Sequence, residues 1–265
     1  MRILVITSRY TAYRDTVKEN FGRQMRLFEA MARLGHEIDF FCVDYKKKER
    51  RNLELNGVKV MIVPFSLFGI VGFANKLDKT IKNGNYDLIL ATSEPAWGVF
   101  GYYYARKYGK PFLYDLHDNY EVYATYKIPF YKYIDNYIIK NADFITTVSY
   151  ALRDKISPVR RKNIHVIQNG VNTKLFKPVP KIFARKKLGL PTNKKIIAYA
   201  GSLQRDQGVH ILVKAFKLLQ KRHTDIMLFL AGTLSKDKKP IDINNSGIVN
   251  KNLDQEGVNL VINAA

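Results

Sequence analysis

His117-Asp118 stands directly after the apolar run Pro111 to Leu116, and the octapeptide Gly201-Ser202-Leu203-Gln204-Arg205-Asp206-Gln207-Gly208 stands directly after Ile196 to Ala200. Ligands of open α/β sheets gather outside the carboxyl ends of the strands, so both segments fall where chemistry is expected. An imidazole there can take or give a proton near neutral pH, or it can cap and hold its own loop through Asp118. The octapeptide suits a phosphate. Gly201 lets the backbone come close, Arg205 offers a cation, Gln207 a hydrogen bond, and a helix opening near Gly208 presents free N–H groups to an anion. Gly232 stands just after the apolar run Ile226 to Ala231. Glu94, in Ser93-Glu94-Pro95 after Asp87 to Thr92, can meet a polar substrate or simply complement a helix dipole. Arg9 follows the first apolar run and reads as an exposed arginine in a polar loop that continues to Arg14. No His or Cys pair has metal-ligand spacing and there is no Asp-x-Asp, so a metal-free site is expected.

The elements that must position these residues alternate. Strands are expected at Arg2 to Thr7, Glu37 to Val43, Val58 to Val63, Asp87 to Thr92, Pro111 to Leu116, Asp143 to Val148 and Ile164 to Ile167. Between the first two, Val17, Phe21, Gln24, Phe28, Met31 and Leu34 repeat near 3.6 residues, with Thr16-x-x-Glu19 as a capping box, Gly22 inside the helix and Gly35 past its end. A second helix starts at Pro95 and ends by Gly109, a third spans Pro129 to Asn141, and Ser149 caps a fourth. The third is dense in tyrosine, and these rings and Trp97 read as packing rather than sugar platforms. After Gly170 the pattern restarts: helix Lys181 to Leu188, strand Ile196 to Ala200, helix Gly208 to Lys221 and strand Ile226 to Ala231. Ser235 to Glu256 is polar with little periodicity, and Gly257 to Ala265 fits a strand or a helix. The order predicts an α/β fold of doubly wound parallel sheets.

Composition narrows the function classes. A hydrophobic fraction of 46% over 265 residues supports buried cores, and a single cysteine, Cys42, excludes a disulfide framework and points to a reducing compartment. The first residues are too short an apolar run for a signal peptide, and Val60 to Ala74 is interrupted by Pro64, Ser66, Gly69 and Gly72, so an intracellular chain without a membrane span is expected. The net charge of +21 asks for an anionic partner, and it is shared: 27 basic against 17 acidic residues up to Gly170, 17 against 6 after it. Nucleic-acid signatures are missing, which favours a membrane surface or phosphate ligands, with a merely solvated basic surface as the alternative. The run Lys46-Lys47-Lys48-Glu49-Arg50-Arg51 reads as a solvated loop or a membrane-facing patch.

The stretch Ile164 to Pro178, Ile-His-Val-Ile-Gln-Asn-Gly-Val-Asn-Thr-Lys-Leu-Phe-Lys-Pro, ends a β-branched run in a sharp Asn169-Gly170 turn. It resembles the hinge of the GT-B glycosyltransferases, in particular the large retaining family numbered four, where a strand, Asn-Gly-Val-Asp/Asn and Phe-x-Pro join two Rossmann-like halves. The resemblance implies an acceptor-binding domain at 1–171 and a partial nucleotide-sugar-binding domain at 172–265. It implies transfer of a sugar, with retention, from a UDP- or GDP-linked donor to a lipid-linked or polysaccharide acceptor, in the cytoplasm or at the inner membrane surface, with contact to anionic lipid. His117 would lie against the transferred sugar. Arg9, Glu94 and Asp118 would face the acceptor, and Gly201, Ser202, Arg205, Gln207, Gly208 and Gly232 the donor. The chain departs from the family in three places. The Gly-Gly pair after the first strand is missing, Ser202 and Gln207 replace the arginine and lysine of Gly-Arg-Leu-x-x-x-Lys-Gly, and Thr233-Leu234 follow Gly232 where a second glycine is usual. The paired glutamates of the family, seven residues apart, would lie beyond Ala265, so the second half reads as cut short. The alternative is an inactive remnant that only binds an anionic ligand or surface.

Overall fold

Alternating apolar runs and amphipathic segments build, in a computed structural model that describes residues 1–11, 14–20, 22–234 and 241–265, two compact units, Met1–Gly170 and Val171–Ala265. Phe21 and the start of the polar stretch, 235–240, lie outside the described residues.

The first unit contains β1 (Arg2–Ser8), β2 (Tyr10–Thr11), β3 (Arg14–Asp15), α1 (Arg23–Arg33), β4 (Glu37–Asp44), β5 (Arg51–Leu55), β6 (Val58–Pro64), α2 (Ile70–Gly84), β7 (Leu88–Thr92), α3 (Pro95–Lys107), β8 (Phe112–Leu116), α4 (Tyr131–Asn141), β9 (Phe144–Thr147), α5 (Tyr150–Ile156) and β10 (Ile164–Val166). Eight strands form one sheet in the order β10-β9-β8-β7-β1-β4-β6-β5, parallel except for β5, which pairs antiparallel with β6. Strand order reverses between β1 and β7, which makes their carboxyl ends the switch point of the sheet. Residues alternate faces along each strand: Leu4, Ile6 and Phe41 pack with Phe73, Trp97 and Ile138 on one side, while Ile3, Val5 and Phe40 pack with Met25 and Phe28 of α1 on the other. Cys42 is a free, fully buried thiol in β4, and burial pushes its pKa up.

Several expectations shift by a few residues, and some fail. α1 starts at Arg23, seven residues after the expected cap. Gly22, at φ 95, is the N-cap and lies outside the helix, with no side-chain capping bond. Thr16 does not cap: its hydroxyl donates to the Arg9 carbonyl at 2.8 Å, and Glu19 instead accepts from the Asp15 N–H at 3.2 Å in a local turn. α2 was not expected at all. Phe73, Leu77 and Ile81 form its buried stripe and Asn85, in the left-handed region at φ 47, ends it. The basic run is an exposed loop only to Arg50, because Arg51 opens edge strand β5. The Ser149 cap forms as expected, accepting from the Leu152 N–H at 3.2 Å.

The second unit holds α6 (Lys181–Leu188), β11 (Lys195–Ala200), α7 (Val209–Gln220), β12 (Ile226–Ala231), β13 (Ile248–Lys251) and α8 (Gln255–Ala264), with the parallel order β11-β12-β13. Val213 and Phe216 of α7 cover one face of the sheet through Leu228 and Leu230; Ala184, Leu188 and Val261 cover the other through Phe229. β13 lies in the stretch read as aperiodic. The last residues are a helix because Asp254 accepts from the Gly257 N–H at 2.8 Å, and Val261 and Ala264 have a face to bury. Among the described residues no helix is long and apolar enough to cross a membrane.

Candidate functional site

In the first unit the polar groups converge at the carboxyl ends of β7, β8 and β9. Asp115, the penultimate residue of β8 and only 2% exposed, accepts from the Thr92 hydroxyl at 2.9 Å, the Thr146 hydroxyl at 2.7 Å and the Arg23 guanidinium at 3.2 Å. Arg23 also donates to the Ile167 carbonyl at 2.7 Å and Asn169 Oδ1 at 3.3 Å, which ties the first turn of α1 to the segment after β10; the sharp turn expected at Asn169-Gly170 does not form there, since neither residue takes a positive φ and the segment is irregular. Two residues on, His117 Nδ1 lies 3.1 Å from the Tyr120 hydroxyl and 3.3 Å from Thr92 Oγ1.

Thr92 gives its hydroxyl hydrogen to the Asp115 carboxylate, and the Tyr120 hydroxyl lies between the Asp115 carbonyl at 3.2 Å and His117 Nδ1 at 3.1 Å, so the two hydroxyls hold the ring by Nδ1 in either tautomer. Nε2 has no hydrogen-bond partner among the described residues. Burial lowers the His117 pKa, partly opposed by Asp115 and Asp118, which keeps the ring neutral. Asp118 is not the residue that holds the ring: it is exposed, and it accepts from the Asn119 N–H at 2.7 Å and the Tyr123 hydroxyl at 3.1 Å.

At the switch point, Ser93 adopts φ 75, an unfavourable region for a side chain. Its Oγ holds it there by accepting from the Ser8 N–H at 2.7 Å and the Thr7 hydroxyl at 3.2 Å, while Trp97 Nε1 donates to Ser8 Oγ at 2.8 Å. This turn delivers Glu94 to the N-cap position of α3, but the side chain makes no capping bond. Burial then outweighs the helix dipole and pushes the carboxyl up to about 7. It is near enough to raise the Tyr123 and Tyr131 hydroxyls as well, after burial and the closer aspartates.

Arg9 corrects the expectation of an exposed cation. It is 6% exposed and donates to Asp15 at 3.0 Å, Asp44 at 3.0 Å and Glu49. Burial opposes its charge, yet the bonds to Asp15 and Glu49 raise its pKa further. Its donors are spent on clamping the loops after β1 and β4.

The second unit presents a separate loop pair. Gly208, in the left-handed region at φ 74, is the N-cap of α7, and no side chain caps that helix. Ser202 and Gln207 are exposed; Arg205 is half-buried, with no ion pair among the described residues. The Gly201 N–H donates to the Ala231 carbonyl at 3.0 Å and the Leu203 N–H to Thr233 at 3.3 Å, so the loops after β11 and β12 run side by side. A Cβ on Gly232 would sit 1.9 Å from the Gly201 carbonyl oxygen, so backbone packing alone demands glycine there. His210, one residue into α7, has a buried Nδ1 with no partner among the described residues.

Residues 25–175 match the model of Glycosyltransferase Family 4. The chain belongs to that family. Residues 180–253 of this family member match a second model, Glycosyl transferases group 1. Among curated relatives, the alpha-monoglucosyldiacylglycerol synthase of Streptococcus pneumoniae is 24% identical over 216 residues, 75% of this chain and 48% of that protein. A D-inositol 3-phosphate glycosyltransferase of Arthrobacter is 38% identical over 78 residues, 29% of this chain and 18% of that protein. The matched stretches thus span half or less of these relatives. Sucrose-phosphate synthase from Thermosynechococcus elongatus has a similar structure, with TM-score 0.72, 18% identity and coverage of 100% of this chain and 73% of that one. Anabaena Alr3699/HepE in complex with UDP has TM-score 0.64 and 18% identity over 88% of this chain and 62% of that one. The fold is that of the GT-B glycosyltransferases, as the hinge implies.

Sequence reasoning missed Arg23, Asp115, Thr92, Thr146, Tyr120 and His210. An aspartate inside the apolar run Phe-Leu-Tyr-Asp-Leu was the one available signal; Arg23 lies 92 residues from its partner.

Proposed function

We propose that this family member transfers a sugar, with retention, from a UDP- or GDP-linked donor to a lipid-linked or polysaccharide acceptor, at the cytoplasmic side of the membrane and without a metal. The single observation that carries the reading is the His117 ring, held at Nδ1 by the Thr92 and Tyr120 hydroxyls at the carboxyl end of β8, with Nε2 left without a partner among the described residues. Such an atom suits a hydroxyl of the transferred sugar or of the acceptor, and a neutral ring does not compete with the leaving diphosphate for charge. Glu94, half-buried and uncapped, is the matching acceptor for a second hydroxyl. In the second unit the uncapped N-terminus of α7, Arg205, Gln207 and the Gly201–Gly232 loop pair suit the diphosphate. The UDP found in Alr3699/HepE agrees with a nucleotide-linked donor, and the synthase of Streptococcus pneumoniae with a lipid acceptor.

A second reading, binding without transfer, is favoured by Ser202 and Gln207, which replace two cations expected opposite the leaving group. The test incubates the purified chain with UDP- and GDP-sugars and a bacterial lipid extract. Glycolipid product that vanishes in His117→Asn supports transfer. Thermal protection by UDP or GDP without product supports the second reading, and neither protection nor product refutes both.

A further inference from the structure

We infer that the cavity between α4 and α5, behind the loop that carries His117, is a binding site for a neutral hexose unit, separate from the site of transfer. This goes beyond the transfer reading and is tested without it.

Local sequence builds the cavity. Asn119 accepts from the Glu121 N–H at 3.4 Å and opens a 3₁₀ turn, Tyr120–Val122, and a second such turn, Ala124–Lys127, leads on to α4. These turns, α4 and α5 border a space of about 310 Å³. That lies at the small end of ligand sites and suits one sugar ring rather than a nucleotide. Side chains alternate along β8: Leu116 faces this space, whereas Asp115 points to the opposite face with Thr92 and Thr146. Tyr120 joins the two sides. Its ring lines the cavity, and its hydroxyl lies 3.1 Å from His117 Nδ1.

Polar groups and charge select the occupant. At one wall Glu121 lies 2.6 Å from Lys155 Nζ and 3.4 Å from Lys132 Nζ, and Lys155 also donates to Asn119 Oδ1 at 2.9 Å. The bond to Lys155 lowers the Glu121 pKa most, so this carboxylate stays ionised. An ammonium group has three hydrogens, and each lysine keeps at least one to give. Asp135, only 1% exposed, accepts one hydroxyl on each oxygen, from Tyr114 at 2.9 Å and from Tyr126, and each oxygen keeps a lone pair. The Asn136 side-chain amide lines the same space with both a donor and an acceptor, and it has no hydrogen-bond partner among the described residues. Three carboxylates, Asp118, Glu121 and Asp135, stand against two ammonium groups, so the lining repels an anion, while the two lysines oppose a cation. Interleaved donors and acceptors of little net charge are what vicinal hydroxyls require, since each gives one hydrogen and accepts others. Leu116, Ile139 and Ile156 supply an apolar floor for the C–H face of the ring.

The test is NMR titration of the full chain with the methyl glycosides of glucose, galactose and mannose. One of the three is expected to bind with a Kd of about 1 mM, ordinary for a ligand of that size, and to move the His117 imidazole signal through Tyr120. Lys132→Met with Lys155→Met should weaken this binding about tenfold, and Asn136→Phe, which fills the cavity from α4, should abolish it. His117→Asn, and Lys140→Met at the exposed far end of α4, should leave it within about twofold. Unfolding followed by Trp97 reports that each variant is folded. Glucose 6-phosphate should bind less tightly than the methyl glucoside, because its charge meets the carboxylates. No binding of any glycoside, a His117 signal that does not move, binding that survives Asn136→Phe, or tighter binding of the phosphate overturns the inference. Binding that His117→Asn abolishes assigns the sugar to the transfer site and overturns it too, leaving the transfer reading intact.

Discussion

Glu94→Gln should stabilise the first unit, and by an amount that grows with pH. Burial raises the Glu94 carboxyl from 4.5 to about 7. At about 1.4 kcal/mol per tenfold change in proton affinity, ionising it in the folded chain costs about 3 kcal/mol. The sign follows from linkage. Because the folded pKa lies above the unfolded one, stability is complete below about pH 4.5, declines as pH rises toward 7, and stays reduced above that. Glutamine keeps the shape and never ionises, so its advantage over the wild type should widen by about 2 kcal/mol between pH 5.5 and 8.5. Contributions of the depressed carboxyls Asp15 and Asp44 are the same in both proteins and cancel. The assay is urea unfolding followed by Trp97, the single tryptophan, buried on α3 one turn from Glu94. Parallel stability curves across that pH range would refute the reasoning, since they would mean the carboxylate is solvated or paired in the folded state.

Other outcomes test the remaining parts. His117→Asn, which can keep the bonds at Nδ1 but lacks Nε2, should lower transfer by about 100-fold with the Trp97 unfolding curve unchanged, and wild-type activity should persist below pH 6.5 because burial lowers the histidine's pKa. Ser202→Arg with Gln207→Lys should tighten UDP binding about tenfold by calorimetry, by restoring two cations beside the N-terminus of α7. Gly232→Ala should destabilise the second unit by about 1–3 kcal/mol in denaturant unfolding followed by circular dichroism, with the Trp97 signal unaffected, because its Cβ would stand 1.9 Å from the Gly201 carbonyl oxygen.

Local information was enough for most of the elements and for the family. β-branched runs placed β1, β4, β6 to β9 and β12 within one or two residues, and α6 was read to the residue, because periodicity and turn residues act over a few neighbours. The same dependence explains the failures. Edge strands β5 and β13 lack the apolar signal of buried strands, and α1 begins late because Thr16 finds the Arg9 carbonyl instead of a helix N–H. The hinge from Ile164 to Pro178 and the glycine-rich octapeptide carried family membership from sequence alone, since each is a contiguous motif. Tertiary structure alone decided what the polar residues do. Arg23 reaches Asp115 across 92 residues, Thr92 and Tyr120 together hold the His117 ring by Nδ1, and Asp15, Asp44 and Glu49 convert Arg9 from an exposed cation into a clamp. Hydrogen-bond direction and desolvation depend on neighbours that the chain brings together only on folding, and no local pattern encodes them.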